Sequence, residues 1–413
     1  MPADRTADRT ALRAFLAARE QAETDFLAAL VREPSDNPPG DCARHAAFTA
    51  TLLEALGFTV ERHKVPTELC RRHGMISATN LVIRHRYGPG PTIALNAHGD
   101  VVPPGTGWTA DPYGAQIRDG WMYGRGAAVS KSDIATYAFA MLALEKSGLS
   151  AGTLELHVTY DEETGGEIGP QYLLEQGISK PDLALGAGFS YAVVEAHNGC
   201  LHLEVEVTGR SAHAAKPYTG IDALEAATHI LATLYAWRGA LAHRVSQVPG
   251  IGAPQLTVGL IEGGINTNVV PDRVVFRLDR RIVPEEIPAE VEAELRALIA
   301  GAATAFPRAG VAVRRILLAT PLTPTPEAAR LTALLCQHAS AELGEPISAG
   351  GVPLYTDARH YAAAGVPIVL YGAGPRSIEE AYAHRADERV RPSDLHAATR
   401  VVALALADLL EAN

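Results

Sequence analysis

Cysteine is scarce in this chain of 413 residues: Cys42, Cys70, Cys200 and Cys336 stand far apart and form no C-x-x-C pair. That excludes a disulfide framework and a cysteine-type zinc site, and each thiol reads as an isolated side chain. Positive charge is in deficit, with 36 Lys and Arg against 47 Asp and Glu, a formal net charge of −11. Nucleic acids and anionic membranes want a basic surface, so neither is an expected partner. Substrate charge stays open, because a local basic pocket can sit on an acidic protein. No stretch approaches the roughly 20 uninterrupted apolar residues of a membrane span. The opening residues, MPADRTADRTALRAFLAARE, carry charge throughout and lack the apolar segment of a signal peptide. The expectation is a cytoplasmic enzyme. Internal repeats and low-complexity tracts are also missing.

What is present is ordinary globular composition, 47% hydrophobic and 20% charged. At about 100–200 residues per domain the length suggests two or three domains. Residues 10–31 show helical spacing in Leu12, Phe15, Leu16, Phe26, Leu27 and Leu30. The stretch EPSDNPPGD reads as a loop, and Ala43 to Leu56 as a helix ended by Gly57. TNLVIRHR, TIALNAHGD and TLELHVTYDEE are strand-like, and DIATYAFAMLALEKSG is a long helix. Alternating strands and helices indicate an α/β core. From Cys200 the texture changes. LHLEVEVTG alternates with period two, as a half-buried antiparallel strand does. A helix (DALEAATHILATLYAW), two strands (QLTVGLIEGG and DRVVFRLDRRI), a helix from Pro288 and the strand VAVRRILLAT follow. This is the split βαβ order of a ferredoxin-like α+β domain. PLTPTPEAAR reads as the return linker, before a helix at 325–343, the strand PIVLYGAG and a last helix from Pro392. The expected layout is a three-layer α/β catalytic domain in two parts, 1–198 and 319–413, interrupted by a ferredoxin-like domain at 199–318.

Three segments offer chemistry. In LNAHGDVVPPG a strand ends in His98, Gly99 and Asp100. Ligands bind at the carboxyl ends of strands in α/β sheets, and a His-x-Asp pair suits a metal ligand oriented by a carboxylate. In TYDEETGGE another strand ends in Asp161, Glu162 and Glu163. Like charges packed together are costly unless a cation or a raised pKa relieves them. One glutamate can bind metal while its neighbour accepts a proton from water. In EAYAHRADERV, His384 sits in a charged loop. Taken singly, each is more often bland: a hydrogen-bonded pair, a solvated acidic turn and an exposed histidine.

Taken together, from about residue 40 to 410, the segments resemble the zinc-dependent family of aminoacylase, acetylornithine deacetylase, succinyl-diaminopimelate desuccinylase and glutamate carboxypeptidase. The strongest part is NAHGDVVPPGTGWTADPYGAQIRDGWMYGRGA, followed by DEETGGE, GRSAHAAKPYTGIDA, GGINTNVVPD, TDARHYAAAGVPIVLYGAG and AHRADERV. The resemblance implies metal ligands at His98, Glu163 and His384, with Asp100 behind His98 and Glu162 as general base. It implies that His213, on a lid and dimerisation domain, reaches a partner subunit's site and polarises the scissile carbonyl. Asn268 and Arg281 match lid residues that hold the substrate, often through a carboxylate, a task suited to the arginine fork. Asp357 and Arg359 match a segment that supports the site.

Two ligands of the family pattern are missing. Where the family has a metal-bridging aspartate, the segment GRGAAVSKSD has Val129, and where it has a further glutamate, the segment LGAGFSYAVV has Ala187. Asp133 lies one helical turn beyond Val129, and Ser190, Glu195 and His197 lie near Ala187. All four are weak stand-ins. The retained histidines and carboxylate are a set that a catalytic mononuclear zinc site uses. The expectation is therefore a homodimeric hydrolase with a divalent metal, zinc or manganese, and one ion per chain. It would cleave an amide or related C–N bond of a small molecule: an N-acyl amino acid, a peptide-like compound, or an aromatic amide or amine. The competing reading is an altered or inactive relative that only binds a small molecule.

Overall fold

The computed structural model describes residues 5–411 and divides into two compact units. One comprises residues 1–195, 324–350 and 356–413, and the other residues 196–323 and 351–355. Among the described residues no helix is long and apolar enough to cross a membrane.

The first unit is α/β. Its sheet runs in the order Val60–Lys64, Thr79–Arg86, Thr153–Thr159, Thr92–His98, Leu183–Gly186 and Ile368–Leu370, and continues into Val193–His197 and Ala349–Val352, where the chain passes between units. Thr92–His98 is parallel to both its neighbours. It is buried from Ile93 to His98, as a central parallel strand must be. The helix Lys131–Lys146 is buried along nearly its whole length, and the final helix Pro392–Glu411 buries fourteen residues. These two helices pack on each other as part of the core.

The apolar spacing over residues 10–31 forms two helices, Arg5–Ala17 and Glu20–Arg32. The break falls at Arg19, which leaves helical geometry (φ −121°, ψ 5°) with its guanidinium 3.6 Å over the Phe15 ring. Glu20 and Glu23 then begin the second helix, where acidic residues suit its positive end. The helix expected from 325 starts at Ala329, because turn bonds from Ala328 and Ala329 to Thr325 and Pro326 use up the first positions.

A small sheet joins Gln116–Arg118, Trp121–Tyr123 and Arg389–Val390. Its hairpin turn is Asp119-Gly120, both with positive φ (52° and 77°), a pairing that matches strand twist. The sheet ties the chain just after His384 to the chain just before Arg125.

The second unit has a four-stranded antiparallel sheet ordered Leu256–Gly263, Arg273–Ile282, Gly199–Thr208, Gly310–Ala319. With the helices Ala223–Leu241 and Pro288–Ala303 this is the ferredoxin-like arrangement. Asp222 caps the first helix by accepting from the amides of Leu224 and Glu225. Leu201, Leu203, Val205 and Val207 alternate inward to make its separate core.

Candidate metal centre

Register assembles the site. His98 stands opposite Thr159 on the adjacent parallel strand. The carboxylates that follow Thr159 therefore emerge beside the end of the strand bearing His98, at the carboxyl edge of the sheet. The turn Glu162–Thr164 is a single 3-10 turn. Asp100 organises it: its buried carboxylate accepts from the amides of Glu162 (3.3 Å) and Glu163 (3.2 Å) and from Asn37 Nδ2 (2.9 Å).

The His98 ring is oriented from the same side. Its Nδ1 lies 2.9 Å from the Asp100 carbonyl oxygen and 3.3 Å from Asp100 Oδ1. A proton on Nδ1 leaves Nε2 as a lone-pair donor, as a metal-binding histidine needs. Nε2 lies 3.9 Å from Glu162 Oε2. Donor atoms of His98, Glu162 and Glu163 all fall within 4.8 Å of one another. His384 joins through Nε2, 3.2 Å from Glu163 Oε1. It sits in a loop where Tyr382, His384 and Asp387 all have positive φ. Asp387 anchors that loop by accepting from the amide and hydroxyl of Thr109.

The electrostatics suit a cation. Burial, reinforced by Glu163, Asp100 and Asp161, pushes the Glu162 carboxyl up to about 8, with His98 opposing. Burial works against a charged His98, yet Asp100, Glu162 and Glu163 outweigh it and raise the imidazole well above its usual value. Pairing with Glu163 raises His384 as well. Two imidazoles and two glutamates crowded into one edge of the sheet match the donor chemistry of a divalent transition metal. His98, Glu162 and Glu163 form the mutually close set, and His384 adjoins it through Glu163 alone.

Val129 and Ala187 lie beside the strand that carries His98 and offer no ligand atom. The Ser130 hydroxyl accepts from the His98 amide at 3.3 Å, and the Ala187 amide donates to the Asn96 carbonyl at 2.8 Å. Both positions therefore adjoin the strand that carries His98, and both are half-buried. Asp133 is spent elsewhere: fully buried, it accepts from the Ala373 amide at 2.7 Å, and burial raises its carboxyl to about 7. Ser190 donates to the Gly374 carbonyl. Asp357 and Arg359 sit together, Arg359 donating to the Gly165 carbonyl and to Glu167. His197, the third stand-in near Ala187, belongs to the second unit.

His213, Asn268 and Arg281 belong to the second unit. His213 and Asn268 are exposed on neighbouring loops, joined by the His213–Val269 bridge and by the Ala214 amide donating to the Asn268 carbonyl. Arg281 is half-buried, with Nε 3.0 Å from Asp279 Oδ1.

Sequence reasoning gave no role to Asn37 or Glu388. Asn37 lies in a segment that reads only as a loop. Glu388 lies within AHRADERV, where charge alone does not separate a buried residue from a solvated one. It is fully buried, bonded to Arg125 Nη1 at 2.5 Å and accepting from the amides of Ala128 and Val129. Arg125 also donates to the carbonyls of Pro104 and Arg385. Arg125→Met should cost about 3–5 kcal/mol, because it leaves Glu388 buried and unpaired. The urea unfolding midpoint measures it; a loss below about 1 kcal/mol would show that the pair does not fasten this loop.

Comparison with known proteins gives a consistent picture. The family described as Peptidase family M20/M25/M40 matches residues 94–408. A succinyl-diaminopimelate desuccinylase of Sphingopyxis alaskensis is 31% identical over 389 residues, covering 91% of this chain and 95% of the relative. The Rhizorhabdus wittichii protein of the same name is 30% identical over 387 residues, covering 90% and 94%. Among solved structures, an M20 family metallo-carboxypeptidase from Sulfolobus solfataricus is similar with a TM-score of 0.75 at 18% identity, covering 94% of this chain and 99% of that one. A Bacillus subtilis protein titled a dinuclear metal binding peptidase from the M20 family is similar with a TM-score of 0.69 at 16% identity, covering 96% and 99%. At these identities the structural likeness speaks for the fold.

Proposed function

This chain belongs to peptidase family M20/M25/M40, and from that premise we propose that it is a one-metal variant of the family's hydrolases, with Glu162 as general base. As a family member it is an enzyme, a metal-dependent hydrolase that cleaves an amide or related C–N bond of a small molecule. The finer reading concerns the ion, the residues and the substrate. The observation that carries it is the convergence of His98, Glu162 and Glu163, with His384 paired to Glu163, while valine and alanine occupy the two remaining positions of the family pattern.

A divalent ion, zinc or manganese, would be held by His98, Glu163 and His384 and would supply Lewis-acid chemistry at the scissile carbonyl. Glu162 takes the proton of the attacking water and delivers it to the departing nitrogen. Asp100 fixes both the His98 ring and the turn bearing Glu162, which keeps the base and the ligand in one geometry. His213, from the second unit of another copy of the chain in a homodimer, donates to the developing oxyanion. Asn268 and Arg281 bind the substrate, Arg281 through a carboxylate.

The substrate reading is an N-acyl amino acid or peptide-like amide, the class suggested by the succinyl-diaminopimelate desuccinylase relatives. Val129 and Ala187 favour a second reading, an aromatic amide or amine, because they put apolar surface where the pattern has carboxylates. A binding-only role is disfavoured by the retention of Glu162 beside His98 and Glu163, where a general base is needed.

Elemental analysis of protein purified without added metal tests the proposal. One divalent ion per chain is expected, lost together with activity in Glu163→Ala. An ion-free chain, even after incubation with zinc or manganese, would move the reading to a ligand-binding relative.

A further inference from the structure

We propose that Cys200, His202 and Asp279 form a second metal-ion site on the sheet of the second unit, suited to a thiophilic divalent cation such as zinc. The strands Gly199–Thr208 and Arg273–Ile282 are antiparallel, with His202 opposite Asp279 and Cys200 opposite Arg281. Period-two alternation puts Cys200 and His202 on one face, and the cross-strand register brings Asp279 to the same face. His202 Nε2 lies 2.7 Å from Asp279 Oδ2 and 3.8 Å from Cys200 Sγ. The three donor atoms all lie within 4.8 Å of one another.

Sulfur, nitrogen and oxygen converging in this way is a zinc-type set, with a fourth position left for water. Tetrahedral zinc at ordinary bond lengths separates its ligands by about 3.5 Å. Cys200 and His202 already stand close to that spacing. His202 and Asp279 need to part by less than about 1 Å, a side-chain rotation on neighbouring strands. Access fits too. The Cys200 thiol is buried at the floor, while the His202 and Asp279 side chains are 35% and 26% exposed. Binding displaces two protons, one from the thiol and one from the imidazolium that Asp279 stabilises. Arg281 holds the other Asp279 oxygen, Oδ1, at 3.0 Å. Its charge opposes the incoming ion, so the site should bind more weakly than a four-ligand structural zinc site.

This cysteine therefore differs from the isolated thiol that sequence spacing suggests, because its partners come from register and not from a C-x-x-C motif. Neither family membership nor the cluster of His98, Glu163 and His384 calls for it, and the two sites differ in having sulfur or not. The test uses that difference. The full chain is stripped with chelator and titrated with cobalt(II), and thiolate-to-cobalt charge-transfer absorption is read in the near ultraviolet. The band should saturate at one cobalt per chain in the wild type and in Glu163→Ala. It should vanish in Cys200→Ser. His202→Gln and Asp279→Asn, which keep the thiol, should weaken cobalt binding at least tenfold. Circular dichroism checks the fold of each variant, and the two thiol-retaining variants decide the matter if Cys200→Ser does not fold. No band at saturating cobalt, or a band undiminished in Cys200→Ser, overturns the site and leaves a His202–Asp279 ion pair with a neighbouring thiol.

Discussion

Glu162→Gln should lower kcat by about 10²–10⁴-fold while the metal content per chain stays unchanged. In barrier terms that is about 3–5.5 kcal/mol. Glutamine keeps the shape and the backbone bond to Asp100 but cannot take a proton from water. The residue is well placed for proton transfer: it is partly buried, beside His98, and its carboxyl is pushed up to about 8 by burial and by neighbouring carboxylates. A divalent cation in the cluster would draw that value down toward the working range of a general base. The readouts are steady-state kinetics and elemental analysis on the same preparation. Full activity in the variant would remove Glu162 from the mechanism. Loss of metal alongside loss of activity would recast it as a ligand.

The second large effect is a change in stoichiometry. On the proposed one-metal reading, Val129→Asp combined with Ala187→Glu should raise bound metal from one to two ions per chain. Both positions adjoin the strand carrying His98, through the Ser130 hydroxyl and the Asn96 carbonyl respectively. At the two positions beside the strand that carries His98 the natural chain has no carboxylate, so a second dication lacks the anionic ligands that the family pattern supplies there. Adding two carboxylates supplies them. Because both sites are half-buried, the metal-free double variant should melt below the wild type, and added metal should restore it by linkage. The neutral pair Val129→Asn and Ala187→Gln should stay at one ion, which separates charge from side-chain size. Two ions in the natural chain would overturn the one-metal reading, and one ion in the acidic double variant would show that the positions are not poised to bind.

Arg125 and Glu388 illustrate why sequence reasoning stopped short of the site's supports. Both lie in motifs that sequence alone makes conspicuous, yet their buried pairing joins segments far apart in the chain. Nothing local distinguishes Glu388 from exposed Arg385 or half-buried Asp387 in the same loop. The same holds for Asn37, whose amide reaches Asp100 from a loop that reads only as a turn.

By itself the sequence determined the α/β texture of the first unit, the change to period-two strands after Cys200, and the segments that carry His98, Glu162, Glu163 and His384. It also determined the two substitutions at Val129 and Ala187. These are legible because periodicity records which face of an element is buried, because His98, Glu162 and Glu163 fall at or just after strand ends, and because the remaining positions lie within motifs that match the family. Tertiary structure alone decided the commitment of Asp133 to a backbone amide and the meeting of Cys200 and His202 with Asp279. The physical reason is common to both. Each depends on strand order and register, or on which buried polar group finds a partner, and a chain read in one dimension carries no signal for contacts closed by folding.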